Sequence, residues 1–169
     1  GLGQGVDARF GLAGEDQRRL EGEAAENFAA AARQGRYRTL IVLENELFER
    51  GTAQATESIL NSFEHVVLLD ALETGTADRA SVVLAAASPL ESSGTVVSLE
   101  GRAQRYYPVM QPREQARESW RWLLDLLSRT REGGYEAEHA DDVLALCARS
   151  HPGLAPVCEA APPRDFRRL

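Results

Sequence analysis

Three short apolar runs punctuate the first half of the chain: TLIVL (39–43), VVLL (66–69) and SVVLA (81–85). Each is continuous rather than alternating and rich in β-branched side chains. That is the pattern of strands covered on both faces, as in a parallel sheet flanked by helices. Between the first two runs the apolar positions change to helical spacing. Ala55, Thr56, Ile59, Leu60 and Phe63 fall on one stripe, and Thr52 stands where a hydroxyl caps a helix start. The stretch from Leu40 to Val67 is long enough for a right-handed β-α-β crossover. The shorter stretch from Val67 to Val83 accommodates a loop and one short helix around Glu73 to Arg79.

Helical spacing also flanks this central region. Glu15 to Gln34 is rich in alanine and glutamate, carries Leu20, Ala24, Phe28 and Ala31 on one stripe, and meets a stop at Gly35. After Pro112, REQARESWRWLLDLLSRT predicts a long helix with Ala116, Trp120, Leu123, Leu124 and Leu127 on its apolar face, ended by Gly133 and Gly134. A last helix is predicted from about Ala137 to Arg149, carrying Val143, Leu144 and Leu146. It stops before His151 and Pro152, because a proline disfavours helix in its predecessor. The remainder, with four prolines, reads as an irregular tail. These elements define an α/β fold: an open, mostly parallel sheet flanked by helices, with a helical C-terminal extension. Residues 1–130 are expected to form the α/β domain and 131–169 a helix plus Pro-rich tail. Ligands of such sheets bind beyond the C-terminal strand ends, where Glu44, Asn45, Glu46, Asp70 and the turn from Pro89 to Gly94 lie.

Composition narrows the chemistry. Apolar residues make up 43% and charged residues 27%, an ordinary globular balance. The net charge of −7 sets the overall field against nucleic acid, so no nucleic-acid partner is expected. All 19 basic residues are arginine, which removes a Schiff-base amine and a phosphate-loop lysine. Cys147 and Cys158 stand without the further ligands that a structural zinc or iron–sulfur site needs, so they read as reduced thiols and no metal is expected. No apolar run approaches the roughly 18–20 residues of a membrane span, so direct membrane insertion is not expected. The opening GLGQGVDARF lacks both the pattern of a signal peptide and an initiator methionine, and reads as the start of a fragment.

The motifs favour no catalytic centre. GLGQG imitates a dinucleotide loop without the preceding strand that the fingerprint requires. His65, His139 and His151 form neither HExxH nor an i, i+4 pair. Ser88, Ser92, Ser93 and Ser98 lie near a strand end without a G-x-S-x-G elbow, and read as turn and capping serines. The pairs Asp141–Asp142 and Glu44–Glu46 read as solvated or capping carboxylates. The most distinctive stretch is SSGTVVSLEGRAQRYYPV (92–109). Gly94 permits a tight entry to a strand, and Gly101 lets the chain reverse so that Glu100 and Arg102 flank one corner. Two readings stand side by side. Arg102 and Arg105 hold a carboxylate or phosphate, or an internal Glu–Arg pair braces the corner.

Three stretches taken in order resemble the molybdopterin oxidoreductase family: LIVLENELF (40–48), HVVLLDALETGTADRASVVLAAASPLESSGTVVSLEGRAQR (65–105) and ESWRWLLDL (118–126). Within that family they resemble the large iron–sulfur subunits, or G subunits, of bacterial NADH-quinone oxidoreductases (complex I). The resemblance implies a Rossmann-like layer within a larger chain whose iron–sulfur clusters lie upstream. It places Thr95, Glu100, Arg102 and Gln104 toward the pterin in the molybdenum and tungsten enzymes of the family. In the G subunits it implies the same fold without molybdenum. Ser98 replaces an asparagine usual in the family, and Ala85 replaces a strand-end proline; both changes suit a fold retained as a scaffold. The resemblance therefore implies a structural domain that supports electron transfer from NADH to quinone without being redox-active, with vestigial cofactor positions and no cofactor of its own. The alternative is a cofactor-contacting piece of a molybdopterin-dependent oxidoreductase. The implied partners are other domains and subunits of complex I, at the cytoplasmic side of the inner membrane. Self-association of the isolated piece through uncovered apolar surface is also expected.

Overall fold

In the computed structural model, residue 30 and residues 33–35, 37–98, 100–129 and 136–160 are described. The predicted helix from Glu15 to Gln34 lies almost wholly outside them. At its end the Gln34 N–H donates to the Ala30 carbonyl (3.1 Å), and Gly35 takes φ +64°, the left-handed geometry of a helix stop. The chain divides into two compact units: residues 1–68 with 72–83, and residues 69–71 with 84–169.

The first unit is built on strand β1 (Thr39–Leu43), helix α1 (Ala53–Leu60), and most of β2 (His65–Asp70), with the start of β3 (Val82–Ala85). The sheet order is β1-β2-β3. Along β2 and β3 the bonds climb together: Ser81 N–H donates to the Val66 carbonyl and Ala86 N–H to the Asp70 carbonyl, so the pairing is parallel, as the continuous apolar runs predict. Helix α1 starts where expected, the Thr52 hydroxyl accepting from the Ala55 N–H at 3.3 Å. Leu60 and Phe63 pack with Val42, Val66 and Leu68 to form the core. Each such fully buried side chain contributes about 1.5–3 kcal/mol.

Two expectations are corrected here. The central run is covered on both faces, Leu68 and Leu69 both being fully buried, but the outer two are not. Val42 is buried, but Ile41 and Leu43 beside it are 47% and 48% exposed, because α1 packs against the side of the sheet that carries Val42 and Val66. The helix expected around Glu73 to Arg79 shrinks to one 3₁₀ turn, Ala77–Arg79, because Thr76 before it is bonded to Glu46.

In the second unit, β4 (Gly94–Val97) pairs antiparallel with β5 (Ala103–Tyr106) as a separate two-stranded sheet rather than extending the parallel one. Gly94 faces Tyr106 across the ladder, and a Cβ at Gly94 would stand 2.4 Å from the Tyr106 hydroxyl, so the ring lies over bare backbone. Helix α2 (Ser119–Ser128) begins later than predicted. Glu114 has φ +51°, and the Arg117 backbone bridges Ala86 in parallel, receiving Ala87 N–H at 2.9 Å and donating to Ala85 O at 3.3 Å. A residue spent as a one-residue strand cannot also join a helix. Helix α3 (Ala140–Ser150) stops at His151 as predicted. The Asp142 carboxylate accepts the N–H groups of His139 (2.8 Å) and Glu138 (3.0 Å) at its start. The segment expected to be irregular opens with a 3₁₀ turn, Pro152–Leu154, and a short helix α4 (Ala155–Cys158). Pro152 and Pro156 sit at first-turn positions, where the missing N–H costs no bond. Residues 161–169 and the Gly133–Gly134 stop lie outside the described residues.

Candidate functional site

The Glu-Gly-Arg corner is the loop of the β4–β5 hairpin. Ser98 closes it: its N–H donates to the Arg102 carbonyl (2.9 Å), its carbonyl accepts from Gly101 N–H (2.9 Å), and its hydroxyl accepts from Arg102 N–H (3.2 Å). Gly101, at φ +79°, makes the reversal. Glu100 and Arg102 meet at 4.0 Å with side chains 81% and 73% exposed, a pairing that water screens to little net energy.

The hairpin register distributes the family-implied positions. Thr95 pairs with Arg105 and Val96 with Gln104, so strand alternation puts Thr95 and Gln104 on opposite faces. Arg105 does not join Arg102 in an anion clamp. Its side chain is 6% exposed, with one Nη donating to the Thr95 hydroxyl (3.1 Å) and the other to the Asp141 carboxylate (2.5 Å) on α3. The guanidinium also lies 5.7 Å from the Tyr107 ring centre. Thr95, Glu100, Arg102 and Gln104 therefore do not converge on one cradle, and the residues at the hairpin do not fit a pterin. Arg105 and Asp141 are the pair that sequence reasoning misassigned. Alternation could have put Arg105 beside Thr95, but no local signal reaches a partner 36 residues away.

Of the strand-end groups Glu44 is exposed, while Glu46 and Glu91 are bonded within the fold. After β1, Glu44 takes φ +45°, and the Glu46 carboxylate accepts from Phe48 N–H (2.9 Å), Thr76 N–H (3.1 Å) and the Thr76 hydroxyl (3.0 Å). Burial opposes its ionisation, but these bonds, with the Thr74 hydroxyl beside it, outweigh that and hold its carboxyl down to about 2. Thr76, fully buried, also accepts from Leu47 N–H at 2.9 Å. In the second unit Glu91 accepts from the N–H (3.0 Å) and hydroxyl (2.8 Å) of Ser88, which lower its pKa. Ser93 is similarly bound to Glu118, whose other oxygen takes Arg121 (2.7 Å). Beside them Arg117 stacks on Trp122 (3.6 Å) and pairs with Asp125 (2.5 Å), while the Trp122 indole donates to Ala85 O (2.8 Å).

Cys147 and Cys158 are exposed free thiols, His65 lies 3.4 Å from Glu64, and no group of metal-ligating side chains occurs among the described residues. No helix among them is long and apolar enough to cross a membrane.

A parallel three-stranded sheet with helices, followed by an antiparallel hairpin, defines a mixed α/β protein. The chain belongs to the molybdopterin oxidoreductase family, whose model matches residues 8–129. It is 37% identical over 153 residues to the G subunit of the NADH-quinone oxidoreductase of Pseudomonas putida, covering 88% of this chain and 17% of that protein. It is 37% identical over 133 residues to the G subunit of the Shewanella oneidensis enzyme (76% and 15%), and 36% identical over 138 residues to that of Escherichia coli strain K12 (79% and 15%). The chain thus spans about a sixth of the length of these relatives.

Proposed function

We propose that this chain is a structural, redox-inactive domain of a polypeptide like these G subunits, within an NADH-quinone oxidoreductase. Its parallel strands form part of an open, Rossmann-like layer over residues 1–130, and residues 131–169 append a helix and tail. The family match ending at residue 129 supports that boundary. The electrons pass through iron–sulfur clusters held elsewhere in the parent polypeptide, and this domain supports them by packing against other domains and subunits. In that setting it lies on the cytoplasmic side of the inner membrane, held there through its partners, with no nucleic-acid role and no membrane insertion of its own.

One observation carries the reading. The hairpin that the family turns toward its cofactor spends its central arginine on Thr95 and Asp141, so Arg105 braces α3 rather than facing a ligand. The remaining positions, Glu100, Arg102 and Gln104, are exposed and tied to no common centre.

The test replaces those three residues together by alanine in the full-length polypeptide. NADH-quinone activity and the amount of assembled complex are expected to stay within about twofold of the parent. Lost turnover in a fully assembled complex would overturn the structural reading. So would stoichiometric molybdenum or pterin in the purified polypeptide, which would favour a cofactor-contacting domain of a molybdopterin-dependent oxidoreductase.

A further inference from the structure

We propose that Cys147 and Cys158 form a redox pair, which a small-molecule disulfide such as oxidised glutathione closes to an intrachain disulfide that ties α4 onto α3. Both thiols are free and exposed. The helices that carry them lie side by side within the second unit. The chain reverses between them over residues 151–154. There the Leu154 N–H donates to the His151 carbonyl (2.9 Å), and the His151 N–H donates to the Cys147 carbonyl (2.8 Å). Cys147 stands four residues before His151, and Cys158 four residues after Leu154. In a helix hairpin with so short a connection, equal spacing from the turn brings two positions level.

Helical spacing puts both cysteines on the covered sides of their helices. On α3, Val143 and Leu144 are half-buried, and Cys147 continues their stripe at the next turn. Beyond the reversal Leu154 and Val157 are half-buried, and Cys158 follows Leu154 at the same helical spacing. Packed helices hold their axes about 8–10 Å apart, whereas a disulfide draws its Cα atoms to about 4.4–6.8 Å, so α4 must move toward α3 as the bond forms. A single turn whose Ala155, Pro156 and Cys158 are exposed makes that move at little cost. The chemistry is thiol–disulfide exchange. One thiolate attacks glutathione disulfide, giving a mixed disulfide and one glutathione thiol; the other attacks the protein sulfur and releases the second glutathione. The protein gives up two electrons and two protons, and the glutathione disulfide takes them. This inference stands apart from the structural role proposed above and does not need it.

The test equilibrates the 169-residue chain with mixtures of reduced and oxidised glutathione. Peptide mapping without reductant is expected to find Cys147 linked to Cys158 within one chain. Amide exchange at Gly153–Cys158 should be slower in the oxidised form than in the reduced one. The effective concentration of the pair, read from the same equilibrium, should exceed that of the urea-unfolded chain by at least roughly tenfold, because the unfolded segment closes the same loop with no helices to hold it. Cys147→Ser and Cys158→Ser should each stop at the mixed disulfide, one glutathione per chain, since the resolving thiol is gone. Two glutathiones on the parent chain with no internal link would overturn the proposal. So would a disulfide-linked dimer as the main product, or an effective concentration no higher in the folded chain than in the unfolded one.

Discussion

Thr76 shows how one hydroxyl joins distant parts of the first unit. It is fully buried, and its oxygen both donates to Glu46 and accepts from Leu47 N–H, 29 residues away. The bonds act in series: the carboxylate orients the hydroxyl, and the hydroxyl satisfies a backbone donor at the start of the 3₁₀ turn Leu47–Glu49. Thr76→Val keeps the shape and removes both bonds, so the Leu47 donor and one carboxylate oxygen lose a partner. The cost expected from urea unfolding is about 1–3 kcal/mol. Thr76→Ser keeps the hydroxyl and should recover most of it. The exposed corner behaves in the opposite way. Glu100 and Arg102 meet at 4.0 Å in water, and alanine at either is expected to leave stability unchanged by the same measurement.

Among the elements, the link between the β4–β5 hairpin and α3 depends on Arg105. Its side chain is nearly enclosed and Asp141 is 22% exposed, so truncating the arginine takes the charged partner from a largely desolvated carboxylate. Arg105→Ala should cost about 3–5 kcal/mol and free α3 to exchange its amide hydrogens faster than β4 and β5. Equal protection loss across the hairpin and α3 would instead show that the pair braces the unit as a whole. Such links explain what the sequence disclosed and what it withheld. The three parallel strands were legible because unbroken runs of Val, Leu and Ile favour extended backbone, although only β2 is buried on both sides. The Thr52 cap and the stop before Pro152 were legible because their chemistry is local. The true start of α2 was not, since Arg117 is held out of the helix by a bridge to Ala86, 31 residues earlier. The uncovered side of β1 was hidden for a related reason: a continuous apolar run says that a strand is fit for burial, not what covers it. The contact of Glu100 with Arg102 was legible as one of two readings, though not its exposure, while the stronger Arg105–Asp141 pair was invisible across 36 residues.

For the molecule as a whole, acid is the condition that probes these bonds together. Glu46 and Glu91 both have folded-state pKa values below the ordinary carboxylate value, so the folded form releases protons that the unfolded chain retains. Their contribution to stability is complete above the unfolded value of 4.5 and is lost as pH falls through the folded one, about 2 for Glu46. The urea midpoint is therefore expected to fall steadily from pH 4.5 toward pH 2. A second effect runs the same way. Arginine supplies all 19 basic residues and stays protonated, so the charge of −7 at neutral pH gives way to a large positive charge and self-repulsion. Salt separates the two. At about 0.1 M ionic strength exposed charges are screened beyond roughly 10 Å, which relieves the repulsion but does not restore a protonated acceptor. The part of the acid loss that survives added salt should shrink in Glu46→Gln, whose amide cannot titrate and which should start from a lower midpoint at neutral pH. A salt-resistant loss of equal size in the parent and in Glu46→Gln would place the acid sensitivity in carboxylates other than Glu46.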